Sequence, residues 1–254
     1  MATIGIMDSG AGGLSVLREI LRLLPGERYL YYSDNANCPY GEKTPEFITD
    51  RCRQIVRGFL DEGADAVVIA CNTATAAAIA TLRAEWPELP FVGMEPAVKP
   101  AALGTRSGVV GVLATAGTLK ASKYLDTRNH YAGDVKVVER VGRGFVELVE
   151  SLELDGPHTE QVVRESLEPL LQAGADTVVL GCTHYPFLLP VLQRVAGQGV
   201  RFIDPAPAAA RQLVRLLDSR GIVHSGPDSP ARRDITIKSS GQSETARRIL
   251  NQIL

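Results

Sequence analysis

A fourteen-residue segment that occurs twice constrains this chain more than any other feature. Leu60-Asp61-Glu62-Gly63-Ala64-Asp65-Ala66-Val67-Val68-Ile69-Ala70-Cys71-Asn72-Thr73 matches Leu171-Gln172-Ala173-Gly174-Ala175-Asp176-Thr177-Val178-Val179-Leu180-Gly181-Cys182-Thr183-His184 at an offset of 111 residues, with seven of the fourteen positions identical and Cys71 falling on Cys182. Two shorter echoes keep the same order. Ile4-Gly5-Ile6-Met7-Asp8-Ser9 resembles Val110-Gly111-Val112-Leu113-Ala114-Thr115, and Glu95-Pro96-Ala97 resembles Asp204-Pro205-Ala206. Ordered matches at offsets of 106 to 111 imply two homologous units. The division expected is residues 1–97 plus 207–254 for the first and 98–206 for the second, the last segment returning to complete the first.

Within each unit, short β-branched runs alternate with helical stretches. The expected strands are Ile4–Met7, Tyr29–Tyr32, Ala66–Ala70, Phe91–Gly93, Val109–Leu113, Val135–Glu139, Thr177–Gly181, Val200–Ile203 and a late one at Asp234–Lys238. Leu14, Leu17, Ile20, Leu21 and Leu24 fall at helical spacing, as do Phe145, Leu148, Val149 and Leu152 on a helix expected over Gly144–Glu153. A terminal helix is expected over Ser243–Leu254, and a surface loop over His224–Asp234. Strand–helix–strand alternation predicts an α/β fold: two pseudo-symmetric parallel-sheet domains, with helices on both faces and an active site in the cleft between them. Continuous apolar strands such as Ala66–Ala70 fit burial on both faces of such a sheet.

Composition narrows the partners. The 254 residues carry 27 basic and 29 acidic side chains, a net charge of −2 at pH 7. That balance argues against a nucleic-acid binder, which needs a basic face. No apolar run approaches the roughly 18 residues of a membrane span. The N-terminus lacks the basic and apolar regions of a secretory signal. Four cysteines at 38, 52, 71 and 182, without CxxC pairs, predict reduced thiols in a cytoplasmic protein rather than a disulfide scaffold or a zinc site. No metal is expected.

The repeat singles out two of those thiols. Cys71 and Cys182 each follow a buried strand and precede a helix, at the sheet edge where open α/β folds bind ligands. A helix N-terminus offers unpaired N–H groups and a positive dipole end, which lower a thiol's pKa from its usual value of about 8.5. The same donors, with the Thr73 and Thr183 hydroxyls, can hold a substrate carboxylate. Thiols from two related halves, on opposite sides of one carbon, supply what stereoinversion requires. One thiolate removes a proton, the other thiol returns one to the opposite face, and the roles then exchange. A lone cysteine at a strand end is ordinarily core filler, and Cys38 and Cys52, without counterparts in the repeat, are left as structural.

Two further loops belong to the same edge. Asp8-Ser9-Gly10-Ala11-Gly12-Gly13 follows the first strand and fits neither a phosphate loop nor a GxGxxG turn. Ser33-Asp34-Asn35-Ala36-Asn37-Cys38-Pro39-Tyr40-Gly41 follows the second. His184 stands beside Cys182, where a cation would favour the thiolate. Glu150, by spacing alone, is a solvated helix residue.

With these motifs assembled, the chain resembles the glutamate racemases of the aspartate/glutamate racemase superfamily. The motifs are Met7–Leu14, Pro39-Tyr40-Gly41, Ala70-Cys71-Asn72-Thr73-Ala74, Gly117-Thr118 and Gly181-Cys182-Thr183-His184-Tyr185-Pro186. The resemblance implies a cofactor-independent, two-base interconversion of L- and D-glutamate that supplies peptidoglycan synthesis, and thereby cell-wall biogenesis and cell shape. By the family pattern Cys71 exchanges the proton of the D-isomer, assisted by Asp8. Cys182 exchanges that of the L-isomer, assisted by His184 and Glu150. Asp8, Ser9, Pro39, Tyr40, Gly41, Asn72, Thr73, Thr115, Thr118, Thr183 and His184 are the implied substrate contacts. The implied partner is the small-molecule substrate; a homodimer is one assembly open to the chain, and neither membrane nor nucleic acid is a partner.

Departures from the pattern are local. Asn37 stands where many members carry Arg, and Arg140–Phe145 lacks their Cys-Pro. No N-terminal extension of the kind tied to activation by a peptidoglycan precursor precedes the first strand, so that regulation is not expected. Four rivals stay open at this level: a racemase for aspartate or another amino acid, a superfamily relative that decarboxylates or isomerises a small diacid, a one-cysteine thiol hydrolase, and a non-catalytic module that binds an amino acid or a partner such as DNA gyrase.

Overall fold

The computed structural model describes residues 1–131, 133, 135–232 and 234–254. The chain divides into two units, Met1–Met94 with Ala206–Leu254, and Glu95–Pro205. The first unit opens with β1 (Thr3–Asp8), α1 (Leu14–Leu23), β2 (Arg28–Ser33), α2 (Pro45–Asp61), β3 (Ala66–Ile69), α3 (Asn72–Glu85) and β4 (Phe91–Gly93). The second comprises α4 (Val98–Gly104), β5 (Val109–Ala114), α5 (Ala116–Lys120), α6 (Ser122–Tyr131), β6 (Lys136–Val141), α7 (Phe145–Glu150), α8 (Pro157–Gln172), β7 (Thr177–Gly181), α9 (Leu189–Ala196) and β8 (Arg201–Ile203). The chain then adds α10 (Ala206–Ser219), β9 (Asp234–Ser239) and α11 (Glu244–Ile253) to the first unit.

Both sheets are parallel throughout and share one topology. Among the described residues the first runs β4-β3-β1-β2-β9 and the second β6-β5-β7-β8. Read from the other side, the second is β8-β7-β5-β6, the order of the first without β9. The repeat is therefore a repeat of architecture, with β1 corresponding to β5 and β3 to β7. Each expected strand is present, with ends shifted by a residue or so. β9 pairs with β2 in parallel register, Ile235 opposite Tyr29, and α10 packs on α1.

The identities within the repeated segment have separate physical causes. Gly63 and Gly174 take left-handed φ values of +79° and +89° just after α2 and α8. Each closes the same helix end: Gly63 N–H bonds to Leu60 C=O and Ala64 N–H to Phe59 C=O, and Gly174 and Ala175 do likewise to Leu171 and Leu170. Asp65 and Asp176 then tie down neighbouring backbone. Thr3 N–H donates to Asp65 at 2.8 Å, while Arg106 and Ser107 N–H donate to Asp176 at 2.7 and 2.8 Å. The paired valines that follow, Val67-Val68 and Val178-Val179, are fully buried. Helix end, strand anchor and core strand thus recur in order and deliver a cysteine to the same point of each sheet.

Two helices depart from expectation. α7 ends at Glu150, not Glu153, because Leu152 adopts φ +62°. Leu152 N–H bonds to Val149 C=O and Glu153 N–H to Leu148 C=O, a helix stop usually built on glycine and so without a signal in the sequence. Cys182, expected at an α-helix start, instead precedes a 3-10 turn over Tyr185–Leu188 that leads into α9. Prolines are the cause. Pro186 and Pro190 have no N–H, so neither can make the i to i−4 bond back to Cys182 or to Pro186. Tyr185 N–H bonds to Cys182 C=O instead.

Candidate active site

In the first unit the polar groups gather at the carboxyl ends of β1, β2 and β3. Asp8 closes β1 and is fully buried. Its Oδ2 accepts Gly13 N–H at 2.9 Å and Gly10 N–H at 3.3 Å, while the Tyr31 hydroxyl donates to Gly10 C=O at 2.9 Å. The Gly-rich turn is thus a cradle around a carboxylate. A Cβ on Gly13 would lie 2.7 Å from Cβ of Asp8, which is why that position must be bare.

Cys71 is the N-cap of α3. Its sulfur accepts Ala74 N–H at 3.5 Å and lies 3.7 Å from Oγ of Ser9, which follows Asp8. Asn72 and Thr73 begin the helix and are buried. Among the described residues, neither the amide oxygen nor the amide nitrogen of Asn72 has a hydrogen-bond partner. A buried amide left so costs about 1–3 kcal/mol.

The loop after β2 contains short 3-10 turns at Asn35–Asn37 and Tyr40–Glu42, joined through a cis Cys38–Pro39 peptide. Its centre is Asp34, fully buried. Arg51 of α2 forks onto this carboxylate at 2.7 and 3.0 Å, Asn37 donates to it, and so does the Tyr40 hydroxyl. Burial pushes the Asp34 carboxyl up, but the bonds from Arg51, Tyr40, Ser240 and Asn37 outweigh it and hold the group below the usual carboxylate range. The Tyr40 phenol is pushed far up by burial and by this anion. Cys52, on the same helix as Arg51, lies in the apolar core, and burial raises its thiol to about 12. Nothing in the sequence pattern pointed to Arg51, which is seventeen residues from its partner and on another element.

In the second unit Thr115 caps α5, its Oγ1 accepting Thr118 N–H at 3.3 Å and lying 3.0 Å from Oγ1 of Thr118. Cys182 follows β7 and is 7% exposed, against 6% for Cys71, so both thiols are buried alike. His184 Nδ1 lies 3.7 Å from the Cys182 sulfur, and its Nε2 lies 2.7 Å from Oε1 of Glu150. His184 is 1% exposed. A carboxylate on Nε2 selects the tautomer with its proton there, leaving the Nδ1 lone pair toward the thiol. Glu150, read by spacing as a solvated helix residue, is instead half-buried at this contact. The segment lacking Cys-Pro supports it in another way: the Tyr185 hydroxyl donates to Gly142 C=O at 3.3 Å, and the Tyr185 and Phe145 rings meet edge-on at 4.9 Å. Thr183 is buried beside the thiol.

Each unit therefore presents one buried thiol at the carboxyl end of its sheet, with polar side chains around it. A sequence model of the Asp/Glu/hydantoin racemase family matches residues 4–213. The chain belongs to this family. Within it the similarity is to glutamate racemases. The glutamate racemase of Pseudomonas putida F1 is 51% identical over 249 residues, 98% of this chain and 92% of that protein. Among solved structures, Escherichia coli glutamate racemase in complex with L-glutamate and the activator UDP-MurNAc-ala superposes with a TM-score of 0.87 at 35% identity, covering 99% of this chain and 95% of that one. The Francisella tularensis glutamate racemase in complex with D-glutamate gives 0.82 at 26% identity, over 100% and 93%. Family membership makes the chain an isomerase. No helix among the described residues is long and apolar enough to cross a membrane.

Proposed function

We propose that this racemase interconverts L- and D-glutamate with its two thiols as the only bases, without a cofactor, and supplies D-glutamate for peptidoglycan in the cytoplasm. One observation carries the reading: a thiol recurs at the same topological point of two homologous sheets, and each copy has its own polar supports. Solved relatives in complex with L-glutamate and with D-glutamate fit a site that accepts both isomers.

The chemistry assigned to the residues is symmetric in outline. With D-glutamate bound, the Cys71 thiolate takes the α-proton, and the electron pair left on Cα is delocalised toward the α-carboxylate. The Cys182 thiol then delivers its proton to the opposite face, giving L-glutamate and a Cys182 thiolate. The reverse passage restores the first state, so no proton or electron is unaccounted for. Asp8 supports the first thiol, and His184 with Glu150 the second. Ser9, Asn72, Thr73, Thr115, Thr118 and Thr183, with backbone groups of Pro39, Tyr40 and Gly41, hold the substrate. The α-proton is far less acidic than a thiol, so the site must stabilise carbanion-like charge. Fixed N–H donors and hydroxyls in a dry environment contribute several kcal/mol to this. The orphan amide of Asn72 is one such donor, aimed by the first turn of α3.

Incubation with each L-amino acid in D2O, followed by chiral and mass analysis, tests the reading. The expected product is α-deuterated D-glutamate from L-glutamate, unaffected by chelators or carbonyl traps. Exchange without inversion, or a preference for another amino acid, overturns it.

A further inference from the structure

We infer that Asp34 and Arg51 are positioning residues for the substrate-binding stretch Pro39–Gly41, holding its backbone in place through the side chains of Asn37 and Tyr40. The inference rests on the glutamate racemase reading above. Four observations carry it. Asp34 is fully buried, yet its carboxylate is surrounded by donors from its own loop and from α2. Arg51 meets it in a two-pronged fork from a helix, the more rigid element. Asp34 N–H donates to Asp8 C=O at 2.9 Å, so the loop is also pinned to the strand end that carries the cradled carboxylate. The Tyr40 hydroxyl is occupied by Asp34, which leaves that residue's backbone, and not its phenol, to face a substrate.

A buried, fully bonded ion pair of this kind gives geometry rather than chemistry. Asp34 has no acceptor capacity to spare for a substrate proton, and among the described residues Arg51 bonds to the loop anchor and to Gln54, at 2.6 Å. The consequence falls on substrate affinity. A loop that must be ordered by the substrate weakens binding by the cost of that ordering, while the step at Cα proceeds once the substrate is seated.

The experiment compares Arg51→Met, Arg51→Lys and Tyr40→Phe with the parent chain by two readouts. In amide hydrogen exchange, Arg51→Met is expected to lose protection over residues 35–42 by about tenfold or more, with β1 and β3 unchanged. In kinetics, its KM is expected to rise by about tenfold or more for both isomers, with kcat within about threefold. Arg51→Lys should recover part of both losses, having one prong of the fork. Tyr40→Phe removes one donor without touching the charges, and a KM rise of about threefold is expected if Arg51→Met fails to fold. Parental protection in Arg51→Met overturns the inference, and so does parental KM in Tyr40→Phe. A loss confined to kcat also overturns it and makes Asp34 part of the proton chemistry. The exchange readout does not depend on turnover. A parent chain inert toward glutamate thus defeats the functional reading alone, and the positioning role is still decided by residues 35–42.

Discussion

Cys71 and Cys182 occupy equivalent places in the repeat and are buried alike, yet their surroundings differ in kind. Cys71 caps a fourteen-residue α-helix and is met by the Ala74 N–H and the Ser9 hydroxyl. Cys182 leads into a proline-limited 3-10 turn and is met by an imidazole that is itself held by a carboxylate. The first thiol is met by one helix N–H and a hydroxyl, the second by an imidazole and, through it, a carboxylate. The repeat brings two thiols to matching positions, and the residues that follow each, with Ser9 on one side and Glu150 on the other, make their surroundings differ.

The largest effect expected is on the thiols themselves. Cys71→Ala and Cys182→Ala should each lower racemisation by about 10³-fold or more, measured by circular dichroism of glutamate. If Cys182→Ala still racemises near the parental rate, the two-base assignment is wrong. Next, His184→Asn should lower kcat/KM by about 10²-fold, and Glu150→Gln by about tenfold. Enantiomers have equal free energies, so both directions must fall together. The asymmetry instead shows in the α-deuterium isotope effect, which should grow for L-glutamate in these variants and for D-glutamate in Asp8→Asn. Equal isotope effects on both isomers would erase the contrast between the halves.

Asn72→Ala should raise KM by about tenfold with little change in Tm, since the amide has no partner among the described residues to lose. A sharp loss of stability would show that Asn72 serves the fold. Two glycine variants compare the supports. A Cβ at Gly142 would meet the Tyr185 hydroxyl at 2.6 Å, and one at Gly13 would meet Asp8. Each should lower stability by about 1–3 kcal/mol in denaturant unfolding, with Gly13→Ala also losing activity through the displaced carboxylate. The smallest effect is on acid stability. Asp34 titrates below its unfolded value, so its contribution is present above about pH 4 and is lost as the pH falls through the folded-state value. Asp34→Asn should flatten the fall of Tm below that pH; an unchanged profile would mean that the ion pair is energetically silent.

Strands were legible because a parallel strand covered on both faces must be a continuous apolar run, and Ala66–Ile69 and Thr177–Gly181 are such runs. The thiols were legible because the repeat placed them in register. Glu150 was not. Its contact with His184 depends on where α7 stops, and a leucine in the left-handed region leaves no mark in the sequence. Arg51 was missed for a related reason, since a charged residue on an amphipathic helix reads as solvated until the loop beneath it is placed.

By itself, then, the order of residues determined the duplicated α/β plan, the strands, and the delivery of one cysteine to each sheet, because those features rest on periodicity, on glycine at left-handed helix ends and on local capping. Tertiary structure decided the rest: the Glu150–His184–Cys182 alignment, the Asp34–Arg51 anchor and the orphaned amide of Asn72. Hydrogen bonds between side chains on separate elements depend on where packing halts each backbone, and that is a property of the folded chain as a whole.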